Sequence, residues 1–175
     1  EITSLEIEPK ISENKQIISG EKIILTYKDE ILDNILIPSK AHVKTPSSGF
    51  QKKVIDSTEI LDSTEFFDDL TGAFLSGFFK NGELDSMRLE GMSTNLYHIF
   101  EDSVYQGKNE TSGDTIIISF KNKETNNIIV IGGAEGSFYP DTISSTIKSP
   151  IFYSASRINY RLQEEETDLD GYSKI

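Results

Sequence analysis

The stretch SGDTIIISFKNKETNNIIVIGGAEGSFYP, residues 112–140, decides the fold class. It holds two apolar runs, Thr115 to Phe120 and Ile128 to Ile131, separated by the polar segment KNKETNN and followed by Gly132-Gly133. Short runs of β-branched and aromatic residues bounded by turn residues are typical of β-strands. The sequence therefore predicts a β-hairpin with the polar segment as its loop, and the flanking glycines disfavour a helix.

This stretch recurs along the chain. Shifted by 93 residues, residues 112–134 align without a gap on SGEKIILTYKDEILDNILIPSKA, residues 19–41. A third copy, FKNGELDSMRLEGMS, begins at Phe79, and a weaker fourth, RINYRLQEEETDLDGYSKI, begins at Arg157. Each copy reads as a strand ending in Phe or Tyr, a polar turn, a second strand, then Gly or Ser and a small residue. The repeat predicts one supersecondary unit stacked several times, although any all-β chain shows loose similarity of this kind.

Composition bounds the possible functions. A chain of 175 residues is long enough for one domain with a core, so we expect residues 1–175 to form a single domain. The net charge of −12, without a basic cluster, argues against nucleic acid as a partner. The absence of cysteine excludes disulfides and thiol chemistry, and no apolar run has the length of a membrane helix. Because the chain opens at Glu1, we interpret it as a mature or excised segment.

The remaining segments predict further strands and few other elements. Residues 1–7 suggest an edge strand, because Pro9 follows, and Asn81-Gly82 is the strongest hairpin signal. Residues 44–53, with Pro46 and Gly49, are interpreted as the clearest loop. Residues 54–67 are interpreted as two short strands rather than a helix, and residues 141–150 as a polar connection. Turns every 8 to 12 residues indicate an all-β sandwich, jelly roll or barrel.

Motifs for catalysis are not evident. The two histidines, His42 and His98, lie far apart and lack metal-motif spacing, so we interpret them as structural. Paired carboxylates that could serve a glycosidase arise by chance in so acidic a chain, and the glycine-rich residues 132–136 do not lead into a helix, as a nucleotide loop would. We therefore expect a protein that is not an enzyme, with no catalytic residues, metal or cofactor.

The repeat units resemble a known family. ASRINYRLQEEETDLDGYSKI, residues 155–175, is similar to the signature of the OstA-like domain, in which Ala, Ile and Tyr open a strand, a charged turn follows, and Leu-x-Gly closes the next strand. LYHIFEDSVYQGKNETSGDTIIISFKNKETNNIIVIGGAEGSFYP, residues 96–140, looks like the version of this domain in Bacteroidetes-type outer-membrane assembly proteins. The resemblance covers roughly residues 17–43 and 72–175, and its motifs are degenerate.

The resemblance implies a fold, a function and partners. Members of this family are the periplasmic bridge proteins of lipopolysaccharide transport and the periplasmic domain of the outer-membrane translocon. The implied fold is a slipped-turn β-jellyroll whose apolar inner face carries the acyl chains of lipid A. The implied partners are lipopolysaccharide and neighbouring jellyrolls joined by edge-strand pairing, including end-to-end homo-oligomers. The implied location is the Gram-negative periplasm, in association with the outer membrane.

Alternating apolar positions of the repeats are the candidate lining of that groove. They are Ile23, Leu25, Tyr27, Ile35, Ile37, Phe79, Ile116, Ile118, Phe120, Ile128, Val130 and Tyr160. The same residues would equally serve as an ordinary closed core, since strand periodicity does not distinguish a core from a groove. An alternative function therefore stays open: a structural or adhesive all-β module of a bacterial surface protein that binds no lipid.

Overall fold

The computed structural model describes residues 2–6, 9–13 and 15–175. Within these ranges the protein consists of strands and turns without a helix, which confirms the prediction of an all-β protein. The strands are β1 (Ile2–Glu6), β2 (Lys10–Glu13), β3 (Gln16–Ser19), β4 (Lys22–Lys28), β5 (Ile31–Ile37), β6 (Ala41–Ile55), β7 (Thr58–Gly72), β8 (Phe74–Lys80), β9 (Glu83–Glu101), β10 (Val104–Lys121), β11 (Glu124–Pro140), β12 (Ile151–Arg161) and β13 (Glu166–Asp170). In the described part of the chain, no helix has the length and hydrophobicity of a membrane span.

Among the described residues, two-residue turns join five pairs of consecutive strands. In each of these turns both central residues have positive φ, as in the Asn122-Lys123 turn at 54° and 67°. This is the type I′ geometry, which matches the twist of the flanking strands and favours Asn, Asp and Gly. The turns of this kind are Asp29-Glu30, Asp56-Ser57, Asn81-Gly82, Asp102-Ser103 and Asn122-Lys123. The Asn81-Gly82 prediction is confirmed, whereas the predicted KNKETNN loop is wrong because all but two of its residues extend the strands.

A row of bulges crosses the sheet where the repeats place their small residues. On β9, β10, β11 and β12, two residues on one strand oppose one on the next: Gly91-Met92 face Asp114, and Gly132-Gly133 face Ser156. Gly91 and Gly132 both have a φ of 81°, and Met92 and Gly133 are also left-handed. The same step follows β5 at Ser39-Lys40 and β13 at Gly171-Tyr172, with backbone bonds from Glu21 N to Ser39 O (3.1 Å) and Ser156 N to Gly171 O (2.8 Å). We call this row the crossing row.

The crossing row divides one continuous sheet into two half-sheets. The first half-sheet runs from β1 through β4, β5 and β8 to residues 83–90 of β9, 115–121 of β10, 124–131 of β11 and 157–161 of β12, and ends with β13. The second runs from β2 through β3, β6 and β7 to the other portions of β9, β10, β11 and β12. Long strands that bend at bulges pass from one half-sheet to the other.

The core lies between the inner faces of the two half-sheets. It is built from alternating apolar residues of both, since every second side chain of a strand points to the same face. The buried members include Leu75, Leu89 and Ile158 on the first half-sheet and Val43 and Leu70 on the second. The β1 edge strand is confirmed for Ile2–Glu6, which pair only with β4, whereas Ile7 lies outside the described residues.

The prediction of a loop over residues 44–53 is wrong. These residues belong to β6, which pairs with β7 in unbroken register from Ala41↔Gly72 to Ile55↔Thr58. Beyond Lys44, β6 and β7 form a two-stranded ribbon, and the side of each strand that faces away from the other is largely unpaired. Pro46 is tolerated in such a ribbon, whereas a central strand would not accept it. Gly49 allows the ribbon to approach the β9–β10 turn, because a Cβ there would lie 2.6 Å from Ser103 O. The predicted polar connection at residues 141–150 is confirmed.

Candidate functional site

The two inner faces separate at the β12–β13 end of the molecule and enclose a cleft of about 260 Å³. We call it the terminal cleft. Its apolar walls are Ile99, Phe138 and Ile151 on the second half-sheet and Leu169 on the first, with Thr167 and Ile175 completing the lining. Because Thr167 is exposed and Leu169 is half-buried, the cleft reaches the protein surface. No lining side chain carries a formal charge, so the site suits an uncharged, largely apolar guest.

Four polar side chains form a connected group in this cleft, which we call the tyrosine relay: Tyr97, Asn109, Tyr153 and Tyr160. The Tyr153 hydroxyl donates to Asn109 Oδ1 at 2.6 Å, and Asn109 Nδ2 donates to the Tyr97 hydroxyl at 3.1 Å. The hydroxyls of Tyr153 and Tyr160 lie 3.0 Å apart. The rings of Tyr97 and Tyr160 meet edge to face at 6.0 Å, so the relay joins both half-sheets.

Backbone register explains how the relay is assembled. Tyr97 and Asn109 are direct cross-strand partners on β9 and β10, so their side chains stand on the same inner face. Tyr153 opposes Gly136, whose missing side chain leaves room for the ring: a Cβ there would lie 2.2 Å from Tyr153 Cε2. Asn109 and Tyr160 are each 2% exposed, whereas Tyr97 and Tyr153 are half-buried.

Burial keeps the relay neutral. Removal from water raises the pKa of the Tyr97 hydroxyl far above its usual range, and the nearby Tyr160 raises it further. The pKa of Tyr153 is also strongly raised, again first by burial and then by its contact with Tyr160. At neutral pH Tyr97 and Tyr153 therefore offer hydroxyl groups that are not ionised.

Further polar side chains continue the relay along the inner face of the second half-sheet. Ser93 and Asn95 precede Tyr97 on β9 at alternate positions, and Thr111 opposes Asn95 on β10. All three are buried. The Ser93 hydroxyl and the Asn95 amide nitrogen have no hydrogen-bond partner among the described residues, which is uncommon for buried polar groups. The inner face of the second half-sheet is thus polar along these parts of β9 and β10.

The predicted lining residues all lie on the first half-sheet. Eight are buried in the core: Ile23, Ile35, Ile37, Ile116, Ile118, Ile128, Val130 and Tyr160. Four are half-buried: Leu25, Tyr27, Phe79 and Phe120. Leu25, Phe79 and Phe120 pack against the core, and Tyr160 also lines the terminal cleft. The structure therefore brings these residues into one interior, and their contact with lipid stays a prediction.

Sequence reasoning missed most of the terminal cleft. Tyr97, Asn109 and Tyr153 line it, yet none was among the candidate residues. The available signal was the alternation of polar and aromatic residues in STNLYHI, residues 93–99, which places Ser93, Asn95 and Tyr97 on one face. A search restricted to apolar residues passes over such positions.

Both histidines are paired with carboxylates outside the cleft. His98 Nδ1 lies 2.8 Å from Asp68 Oδ1, and its ring packs against Phe66 with centroids 4.7 Å apart. His42 Nε2 lies 2.9 Å from Asp69 Oδ1. Within the described ranges, no group of three or more His, Cys, Asp or Glu side chains is arranged to hold a metal ion.

Comparison with family models, curated proteins and solved structures found no match to this chain. Arguments about function therefore depend on the residues and geometry of this protein.

Proposed function

We propose that this protein is a lipid-carrying slipped-turn β-jellyroll of the lipopolysaccharide-transport type. In this proposal acyl chains enter between the half-sheets at the terminal cleft, in the periplasm of a Gram-negative cell, and move towards the outer membrane. The observation that carries it is the uncharged cleft between Phe138 and Ile151 on one side and Leu169 on the other. The apolar walls face water at the opening of the cleft. Covering them with an acyl chain removes apolar surface from water, which favours binding.

Net charge limits which part of a lipid enters. The chain carries a net charge of −12, so the phosphates of a lipid A head group are repelled from its surface as a whole. The acyl chains therefore occupy the cleft while the head group remains in water. This division also agrees with a cleft lined by no charged side chain.

Free strand edges support the proposed partners. β1 and β13 end the path of the sheet, and each pairs with one neighbour, β4 and β12 respectively. Unpaired N–H and C=O groups on such edges are templates for strand addition. In the proposal they join neighbouring jellyrolls, or copies of this chain, end to end. Whether the chain acts as a bridge protein or as a translocon domain does not alter this contact.

Photocrosslinking with purified lipopolysaccharide tests the proposal. A benzoylphenylalanine replaces Phe138, which lines the cleft, or its neighbour Tyr139, which points to the outer face and packs against Phe152. Adducts at 138 without adducts at 139 are expected, because adjacent residues of a strand face opposite sides. Equal labelling, or none at 138 in a folded protein, would contradict lipid carriage.

A second candidate function has one specific observation in its favour. Eight of the twelve predicted lining residues are buried in a continuous core rather than in an open groove. That packing suits a structural or adhesive β-module that takes up no lipid. The same crosslinking experiment separates the two functions, since the module predicts no adduct at position 138.

A further inference from the structure

The tyrosine relay has more hydrogen-bond donors than the surrounding protein uses. The single hydroxyl hydrogen of Tyr153 goes to Asn109 Oδ1, so Tyr160 donates to Tyr153. Asn109 Nδ2 donates to Tyr97, whose own hydroxyl hydrogen finds no acceptor among the described residues. If the Asn109 amide is flipped, every hydrogen bond of the relay reverses its direction, and the Tyr160 hydroxyl hydrogen is then the one without an acceptor. In either direction one hydroxyl donor remains, and both Tyr97 and Tyr160 line the terminal cleft.

A buried donor without an acceptor lowers the stability of a protein, so the unused donor indicates a site for a ligand that supplies an acceptor. An unsatisfied buried polar group costs about 1–3 kcal/mol, and native proteins keep few of them. Here the surplus hydroxyl is accompanied by the unpartnered Asn95 amide nitrogen further along β9. The site thus holds donors that no acceptor among the described residues satisfies. A guest that supplies an acceptor oxygen would satisfy it.

The surroundings select the kind of acceptor. Burial raises the pKa values of Tyr97 and Tyr153, so the donors stay neutral, and no cationic side chain lines the cleft to stabilise an anion. The walls are apolar, and the volume of about 260 Å³ lies just below the range of drug-sized ligand pockets. These properties fit one aliphatic chain that carries an uncharged carbonyl.

We infer that the tyrosine relay recognises the ester or amide carbonyl of an acyl chain held in the terminal cleft. The inference rests on the proposed lipid binding and adds a specificity determinant to it. The leftover hydroxyl of Tyr97 or Tyr160 donates to the carbonyl oxygen, while Ile99, Phe138 and Leu169 contact the chain. A plain hydrocarbon leaves the hydroxyl unsatisfied and binds more weakly, as expected when a site built for a hydrogen bond meets a ligand that lacks it.

Two probes with the same number of non-hydrogen atoms separate the effect of the carbonyl from that of the chain. Methyl laurate and pentadecane each displace the fluorescent probe N-phenyl-1-naphthylamine from the protein, and their affinities are compared between variants. The test variant replaces the whole relay by apolar groups, Y97F, N109L, Y153F and Y160F together, so that no orphaned partner remains. The control, Y139F, removes a hydroxyl from the outer face of β11 next to Phe138.

The relay variant is expected to bind methyl laurate about fivefold to tenfold more weakly than the native protein, and pentadecane at least as tightly. Y139F is expected to alter neither. Equal binding of methyl laurate to the native protein and the relay variant overturns the inference and leaves lipid binding intact. Failure of both probes to bind the native protein overturns the inference and the proposed function together.

Infrared spectroscopy gives a second test that needs no variant. Methyl laurate labelled with ¹³C at its carbonyl is bound to the native protein, and the carbonyl stretching frequency is recorded. A shift to lower frequency than that of the ester in hexane is expected, because a hydrogen bond weakens the C=O bond. A frequency equal to that in hexane would overturn the inference even if the relay variant did not fold.

Discussion

The hydroxyl groups of Tyr153 and Tyr160 lie 3.0 Å apart although the two residues belong to different half-sheets. Both are on β12, which steps across the crossing row at Ser156 between them. Two side chains of the same strand are therefore hydrogen-bonded to each other across the interior. This contact joins two lining residues of the terminal cleft across the crossing row.

Alkaline pH is expected to destabilise the protein through these tyrosines. The pKa values of Tyr97 and Tyr153 are raised in the folded state, so both ionise first in the unfolded chain, near pH 10. Their stabilising contribution is thus complete below about pH 10 and is lost as pH rises above it, by at most about 1.4 kcal/mol per pH unit for each group. Urea unfolding between pH 8 and about 11.5 measures the decline, which is expected to be shallower in Y97F/Y153F. An equal decline in both proteins would contradict the assignment.

Gly136 is expected to be coupled energetically to Tyr153. An alanine Cβ at position 136 would lie 2.2 Å from the Tyr153 ring, so G136A must displace the ring and break its bond to Asn109. We expect G136A to lower the free energy of unfolding by about 2 kcal/mol in the native background and by less than about 1 kcal/mol in Y153A. Chemical denaturation of the four proteins of this cycle measures the coupling. Additive losses would show that Gly136 does not make room for the ring.

The repeat predicted much of the first half-sheet because its signals are local. The turn residues Asn81-Gly82 and Asn122-Lys123 tolerate positive φ, and the glycine pair Gly132-Gly133 marks a bulge. The aromatic residue that ends each first strand, such as Phe79 or Phe120, follows a register shift beside its turn. Local conformational preference and alternation are sufficient at these positions.

The second half-sheet could not be predicted in the same way because tertiary contacts decide it. Residues 44–53 form a strand despite Pro46 and Gly49, since β7 supplies a complete pairing partner and Gly49 admits the Phe100 ring. The tyrosine relay joins β9, β10 and β12, and its members are up to 63 positions apart from Tyr97 to Tyr160. Hydrogen bonds between such distant side chains leave no periodic pattern in the sequence.

Two adjacent glycines of the crossing row are expected to differ in their tolerance of alanine. At Gly132, with a φ of 81°, an added Cβ would lie 2.8 Å from Asp114 Cβ, which moves only with the backbone. At Gly133, with a φ of 57°, no atom lies within 4 Å of an added Cβ. We expect G132A to cost about 2–3 kcal/mol and G133A about 1 kcal/mol, the latter from left-handed strain alone.

Urea denaturation of G132A and G133A gives the comparison, with the native protein as reference. Each serves as the control for the other, since both remove a glycine of the same bulge and differ in the space around it. Equal losses would indicate that left-handed strain, rather than the close approach of Asp114, explains the glycine at position 132.

A proline substitution at one of two neighbouring positions, Thr167 or Asp168, is expected to block the pairing of an added strand with the β13 edge. Successive N–H groups of a strand point to opposite sides, so at Thr167 and Asp168 one N–H faces β12 and the other faces the free edge. Proline has no N–H to donate. Where the N–H faces β12, proline breaks the β12–β13 pairing; where the N–H faces the free edge, it removes a bond to an added strand. If the proposed end-to-end contacts form, concentrated native protein contains oligomers in sedimentation velocity. One of T167P and D168P then keeps the β12–β13 pairing while losing these oligomers, and the other breaks that pairing; D168P also removes the ion pair between Asp168 and Arg161. Oligomers that persist in the variant that keeps the pairing would show that the β13 edge is not the contact.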